Sequence, residues 1–289
     1  MQQRSIGDIE VGAIGLGAMP FSVDPAPDAE RATATVHAAL DAGVTLIDTA
    51  DAYTPSTADH LPGHNEQAVA RALKSYPGDT AGVLVATKGG HTRSPDGGWG
   101  TDGRPEHLRR ACEASLRTLG ADAIGLYQHH RPDPDVPYAE TMGGLGELLE
   151  AGLVQRVGIS NADTDQIRTA HQILGDGLVS VQNQLSPKFR NSLRELSLCG
   201  QLGLAFLPWS PLGGMREAAD LGERHAAFSV VANARGVSPQ QVALAWLLGL
   251  SDRLIPIPGA SRPESVRDSV AAADLVLTDD ERARLDDGR

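Results

Sequence analysis

Short runs of aliphatic and β-branched residues recur along the chain, each ending in a polar residue and each followed by a stretch with one apolar face at helical spacing. Ile6 to Ile14 reads as two short apolar stretches around Gly7 and Asp8, a small hairpin, with a first core strand at Ala13 to Gly17. Further strands are expected at Val44 to Ile47, Gly82 to Thr87, Ala123 to Gln128, Leu153 to Ile159, Leu178 to Val181, Leu204 to Pro208 and Leu254 to Ile257. Apolar on both faces, these runs suit strands buried in a parallel sheet.

Helical patterns fill the intervals. Pro27 to Ala42 puts Thr33, Val36, Ala39 and Leu40 on one face, and Gly43 closes it. Pro105 opens a helix whose stripe runs through Leu108, Ala111, Cys112, Ser115, Leu116 and Leu119. Asp163 with Gln166, and Ser238 with Pro239 and Gln241, fit capping boxes. The last helix is expected to start at Thr278 and run almost to Arg289.

Eight strand–helix units with no break in composition point to a single domain over residues 1–289. Its expected fold is an α/β (β/α)8 TIM barrel preceded by a short N-terminal β-hairpin. The alternative is an open doubly wound sheet, which needs GxGxxG after its first strand. Gly15 and Gly17 supply the first half, but Pro20 occupies the third glycine position.

Composition narrows the partners. A formal net charge of -12 and a pI near 5.1 repel nucleic acid and anionic lipid, and no apolar run is long enough to cross a bilayer. A cytoplasmic protein is expected. Two cysteines, Cys112 and Cys199, are too few for a disulfide framework and lack metal-site spacing.

At or just past the C-terminal ends of successive strands stand Asp48, Lys88, His130, Ser160, Asn161, Gln182, Trp209 and Gly259. Each alone has a structural explanation, since Lys88 can be solvated, His130 can cap a strand and Asp48 can bind a loop. In a closed barrel, however, all of them converge on one face, where such barrels place their chemistry. Tyr53 lies five residues beyond Asp48 on the same rim.

The segments DTADAY (48–53), ATKGG (86–90), LYQHHRPDP (126–134), GLVQRVGISN (152–161), PWSPLGG (208–214) and IPIPGASRPESV (255–266) together resemble the successive signatures of the aldo-keto reductases. The resemblance implies an NADPH-dependent oxidoreductase that reduces aldehydes or ketones to alcohols. Its catalytic tetrad falls on Asp48, Tyr53, Lys88 and His130. A free phenol, with a pKa of about 10, exchanges protons poorly near neutrality, so Tyr53 needs a cation beside it. Lys88 can supply that charge, Asp48 can hold the ammonium, and His130 can donate to the substrate oxygen.

For the cofactor, the resemblance implies that Ser160, Asn161 and Gln182 meet the nicotinamide carboxamide and that Trp209 stacks on its ring. Ser210, Pro211, Leu212 and Gly213 would cover the pyrophosphate. Gly259, Ser261, Arg262 and Asp268 fall on the adenosine-phosphate site, where the Arg262 guanidinium favours a 2′-phosphate and hence NADPH.

His129 is expected to face away from His130 because adjacent strand residues alternate. His37, His60, His64, His91, His107, His171 and His225 carry no motif, and no metal is expected. Met19, Phe21, Trp99 and Trp209 are candidate walls for a small-molecule carbonyl substrate, with Trp99 equally placed to anchor its own loop. The expected enzyme is a monomer with an open pocket.

Overall fold

The computed structural model describes residues 1–23, 26–55, 62–94, 96–214 and 217–287. His60 lies outside them. An antiparallel hairpin, β1 (Gln3–Ile6) and β2 (Ile9–Gly12), opens the chain. Then follow β3 (Leu16–Gly17), α1 (Ala29–Asp41), β4 (Leu46–Asp48), α2 (His64–Ser75) and β5 (Leu84–Gly89). A second small hairpin comes next, β6 (His91–Arg93) with β7 (Trp99–Thr101), where the sequence suggested only a loop. The alternation resumes with α3 (Pro105–Leu119), β8 (Leu126–His129), α4 (Tyr138–Glu150), β9 (Val157–Ser160), α5 (Thr164–Leu174), β10 (Leu178–Gln182), α6 (Leu193–Leu202) and β11 (Ala205–Phe206). Helices α7 (Leu221–Arg224), α8 (Ala226–Arg235), α9 (Pro239–Leu248), α10 (Pro263–Ala271) and α11 (Asp279–Asp287) complete the described chain.

Seven strands form one parallel sheet in the order β11-β10-β9-β8-β5-β4-β3. Its two edges meet at the same segment, residues 254–259. On one side Phe206 N donates to Arg253 O and Ile255 N to Phe206 O; on the other, Gly15 N donates to Pro256 O and Gly17 N to Pro258 O. The sheet therefore curls round on itself into a TIM-like α/β fold. The expected strand at Leu254 to Ile257 registers only as isolated bridges, Phe206↔Leu254 and Gly17↔Gly259. Pro256 and Pro258 lack N–H donors, so this segment accepts at positions where an ordinary strand would also donate.

Period-two alternation sorts the strand residues. Leu46, Leu84, Ala86, Leu126, Ala205, Leu207, Ile255 and Ile257 form a buried cluster with Ile6 and Val11 of the first hairpin. Asp48, Lys88 and Gln128 share strand parity with Leu46, Ala86 and Leu126, and they follow them toward the C-terminal end. The rows thus change from apolar to polar along the strands. Larger apolar clusters fill the layer between sheet and helices, where Cys112 and Cys199 sit as buried free thiols.

Local signals set the helix ends. Asp28 accepts from Arg31 N at 2.7 Å, and Asp163 with Gln166 completes a capping box on α5. Ser238 caps α9, but Gln241 does not reach back to complete a box. Its amide donates instead to Asp268 of α10 at 2.6 Å. No helix among the described residues is long and apolar enough to cross a membrane.

Candidate active site

At the C-terminal end of the sheet, Lys88 is fully buried and its ammonium has three partners. Nζ lies 2.6 Å from Asp48 Oδ2, 2.9 Å from Thr49 O and 3.2 Å from Tyr53 OH. Asp48 uses its other oxygen, Oδ1, to accept from Gln182 Nε2 at 2.7 Å and Gln128 Nε2 at 3.0 Å. A buried ion pair persists only when its remaining hydrogen-bonding capacity is met, and here two amides from two further strands meet it. β4, β5, β8 and β10 are thereby tied together at one point.

Gln128 was not among the sequence-derived candidates. Parity could have found it, since it lies midway between Leu126 and His130 on the inward row. Room for it comes from Gly158 on the adjacent strand, where a Cβ would approach Gln128 Cγ at 2.9 Å and Ser180 Oγ at 2.5 Å.

Burial pulls the Lys88 pKa down, but Asp48 and Tyr53 outweigh it and raise the value above that of a free lysine. The side chain is a cation at physiological pH. The sequence reading expected this charge to bring the Tyr53 phenol toward neutrality. Instead Tyr53 is raised above 10: burial disfavours the phenolate more than Lys88 favours it, and Asp48 adds to the rise. Lys88 limits that rise. Tyr53 is therefore a protonated donor across the physiological range.

The His130 ring meets Tyr53 edge-on, with centroids 5.4 Å apart. Burial first, then the nearby charges of Lys88 and Arg131, hold its pKa well below 6.5, so the imidazole is neutral. A neutral imidazole still donates one N–H. His129 turns the other way, fully buried with its ring 6.0 Å from that of Tyr138.

Ser160, Asn161, Gln182 and Trp209 interlock beside this centre. Ser160 Oγ donates to Gln182 O at 2.7 Å, Asn161 Nδ2 to His130 O and Ser160 Oγ at 3.0 Å each, and Trp209 Nε1 to Asn161 Oδ1 at 3.2 Å. Asn161 has φ 57, a left-handed conformation that asparagine tolerates better than most residues. Gln182 commits both amide hydrogens, to Asp48 and to Gln128 Oε1 at 3.1 Å. Among the described residues its Oε1 receives no hydrogen bond, which leaves an acceptor suited to a ligand N–H.

These side chains border a cavity of ≈ 550 Å³. Its lining includes Asp48, Tyr53, His130, Ser160, Asn161, Gln182, Trp209, Ser210, Pro211, Leu212 and Gly259, whereas Lys88 lies beneath it. Gly213 sits between lining residues without lining the cavity itself. Ser261 and Arg262 lie exposed at the start of α10, with Arg262 Nε donating to Ser265 Oγ at 3.0 Å. Asp268 accepts from Ser238 Oγ at 2.8 Å as well as from Gln241, so its carboxylate joins α10 to α9.

Of the candidate substrate walls, Met19, Trp99 and Trp209 line the cavity. Phe21 does not; it is buried against α1 and α2 residues such as Val36 and Val69. Among the lining residues with no sequence-derived assignment are two with ionisable side chains, His91 and Arg131. His91 stacks on Trp99 at 4.7 Å and 18° and meets His130 edge-on at 4.7 Å. Trp99 thus serves both pocket and hairpin.

The model of the Aldo/keto reductase family matches residues 13–288. An oxidoreductase of Schizosaccharomyces pombe, C215.11c, itself uncharacterized, is 33% identical over 286 residues, covering 98% of this chain and 88% of its own length. Among solved structures, an aldo/keto reductase from Klebsiella pneumoniae in complex with NADP and acetate superposes with a TM-score of 0.81 and 29% identity, covering 98% of this chain and 94% of that one. The glycerol dehydrogenase AKR11B4 from Gluconobacter oxydans superposes with a TM-score of 0.82 and 26% identity, covering 99% and 94%. With a family match across nearly its whole length, the chain belongs to the aldo/keto reductases.

Proposed function

We propose that the protein is an NADPH-dependent carbonyl reductase that converts aldehydes or ketones to alcohols, with Tyr53 as the general acid. The observation that carries this reading is the single buried ammonium of Lys88 bound both to Asp48 and to Tyr53 OH at the cavity floor. When bound, NADPH supplies the hydride. Around it, the free acceptor of Gln182 and the second lone pair of Asn161 Oδ1 suit the N–H groups of a carboxamide, and Trp209 offers a flat apolar face beside them. The NADP-bound Klebsiella pneumoniae relative supports the same cofactor class.

The roles follow from protonation. As a carbonyl oxygen gains negative charge, the neutral His130 donates to it and Tyr53 delivers its proton. Lys88, held by Asp48, stabilises the phenolate that Tyr53 leaves behind. The raised Tyr53 pKa keeps the phenol protonated, the form the reductive step draws on. Arg262, exposed at the start of α10, is assigned to the 2′-phosphate and Asp268 to the same end of the cofactor. The fold is taken as one closed (β/α)8 barrel domain over residues 1–289, acting as a cytoplasmic monomer. The bonds from residues 254–259 to both sheet edges support that closure.

NADPH consumption with a panel of aldehydes and ketones tests the assignment. Tyr53→Phe is expected to lower kcat by about 10²–10⁴-fold with NADPH affinity retained. Turnover by Tyr53→Phe within a fewfold of the wild type would sink the general-acid role.

A further inference from the structure

The cavity mouth holds one charged side chain with no ionic partner. Arg131 follows His130 immediately, lines the cavity and is exposed, and among the described residues it forms neither a salt bridge nor a hydrogen bond. Two acidic residues of the neighbouring loops, Asp133 and Asp102, have other partners. Asp133 accepts from Gly103 N at 2.8 Å and Asp135 N at 3.0 Å, while Asp102 pairs with Arg104 at 2.6 Å and with His107 at 3.3 Å.

Among the described residues, the rest of the cavity lining adds no charge to oppose it. Asp48, the only carboxylate among the described lining residues, is neutralised by Lys88. His91 and His130 are both held neutral: burial, Arg131 and Arg93 bring His91 to about 4, and burial leads the depression at His130. In a protein of formal net charge -12, the described lining of the reaction pocket is thus net positive. Apolar wall on this side comes from Trp99, stacked on His91, and from Trp209, whose indole reaches Asn161.

Position separates Arg131 from the end assigned to the cofactor phosphates. Going round the curled sheet, β8 is the fourth strand from β3, and residues 254–259, which carry Gly259 and lead to Arg262, lie eighth. Arg131 is therefore diametrically across the sheet from that corner, beside the His91–Trp99 stack.

Building on the carbonyl-reductase reading, we infer that Arg131 is a carboxylate subsite and that the preferred substrates are aldehydes carrying a carboxylate remote from the carbonyl, with an apolar body between the two groups. The carbonyl carbon takes the hydride from NADPH and its oxygen takes the Tyr53 proton, giving the alcohol and NADP+; the carboxylate is unchanged. A guanidinium matches a carboxylate in a planar, bidentate fashion, and at an exposed position the attraction weakens as salt screens it.

The test compares 4-formylbenzoate with its uncharged methyl ester at low ionic strength. The wild type is expected to show kcat/KM about tenfold higher for the acid, through KM, with the preference shrinking in added salt. Arg131→Gln should bring the acid-to-ester ratio near one, and Arg131→Lys should keep part of the preference. Equal or better use of the ester by the wild type, or an unchanged ratio in Arg131→Gln, overturns the subsite. Binding of 4-methylbenzoate and its methyl ester, followed by the fluorescence of Trp99 and Trp209, separates this from failure of the parent reading. If neither aldehyde is reduced but the acid still binds in preference to its ester, and loses that preference in Arg131→Gln, the subsite stands and the reductase assignment falls. Equal binding of both overturns the subsite.

Discussion

Asp48→Asn is the substitution whose consequence the structure fixes most closely. The change is nearly isosteric. Asparagine Oδ1 can still accept from Gln128 and Gln182, but its amide nitrogen would face the Lys88 ammonium, a donor against a donor where a charge-assisted bond of 2.6 Å now stands. Lys88 is fully buried, so its charge would lose its only anionic partner without gaining water. Breaking a buried pair from one side costs about 3–5 kcal/mol. Lys88→Met leaves the converse problem, a buried carboxylate, softened by the two amide donors that remain. The double variant removes both charges together and should be at least about 2 kcal/mol more stable than the sum of the single effects predicts. Urea unfolding at pH 7, followed by tryptophan fluorescence and circular dichroism in parallel, gives the three free energies, and coincident transitions establish that they are comparable. Additive effects would refute the coupling on which the site description depends. Stability and activity should part company in the double variant, because it recovers the charge balance without recovering the cation beside Tyr53.

Two further outcomes follow from the same geometry. Burial brings the His129 pKa from 6.5 to about 4, so the folded protein keeps this ring neutral while the unfolded chain protonates it. Its contribution is therefore complete above about pH 6.5 and is lost as pH falls toward 4, by roughly 3 kcal/mol at most given about 1.4 kcal/mol per pH unit; His129→Phe should flatten urea midpoints across that interval, and an unchanged pH dependence would count against it. Arg262→Ala should raise the Kd of NADPH by about tenfold or more while changing that of NADH little, as read by fluorescence titration, and equal losses for both cofactors would remove Arg262 from the 2′-phosphate.

The strand ends were legible in the sequence because a buried parallel strand leaves a compact signature, an apolar run that stops at a polar group. Asp48, Lys88 and His130 could be named on that basis, and the fold then brings them to one cavity with Tyr53. What escaped had weaker local signals. Gln128 sits inside an otherwise apolar run and reads as a flaw in the pattern until parity is followed through. His91 and Arg131 lie just beyond strand ends, where no periodicity operates and the hairpin β6–β7 decides direction. The net direction of the Tyr53 pKa was out of reach for a different reason. It depends on the depth of burial set against a charge already shared with Asp48, and depth is a property of the assembled structure. In the other direction, Phe21 looked like a pocket wall from its place near Met19, yet the turn at Met19 to Phe21 sends it into the helix layer.

The seam at residues 254–259 bears on how the molecule is made. Gly15 and Gly17 on one flank find their partners about 240 residues later in the chain, and Arg4 of the first hairpin donates to Ser251 O and Leu248 O at 2.6 and 2.8 Å from the same distant region. During synthesis β3 can pair with β4 early, but its other edge stays bare, and the hairpin lacks the carbonyls that hold Arg4, until residues 248–258 have left the ribosome. Segments about 240 residues apart thus complete their structure together. Every intermediate length of chain carries an open sheet edge that the finished protein does not have.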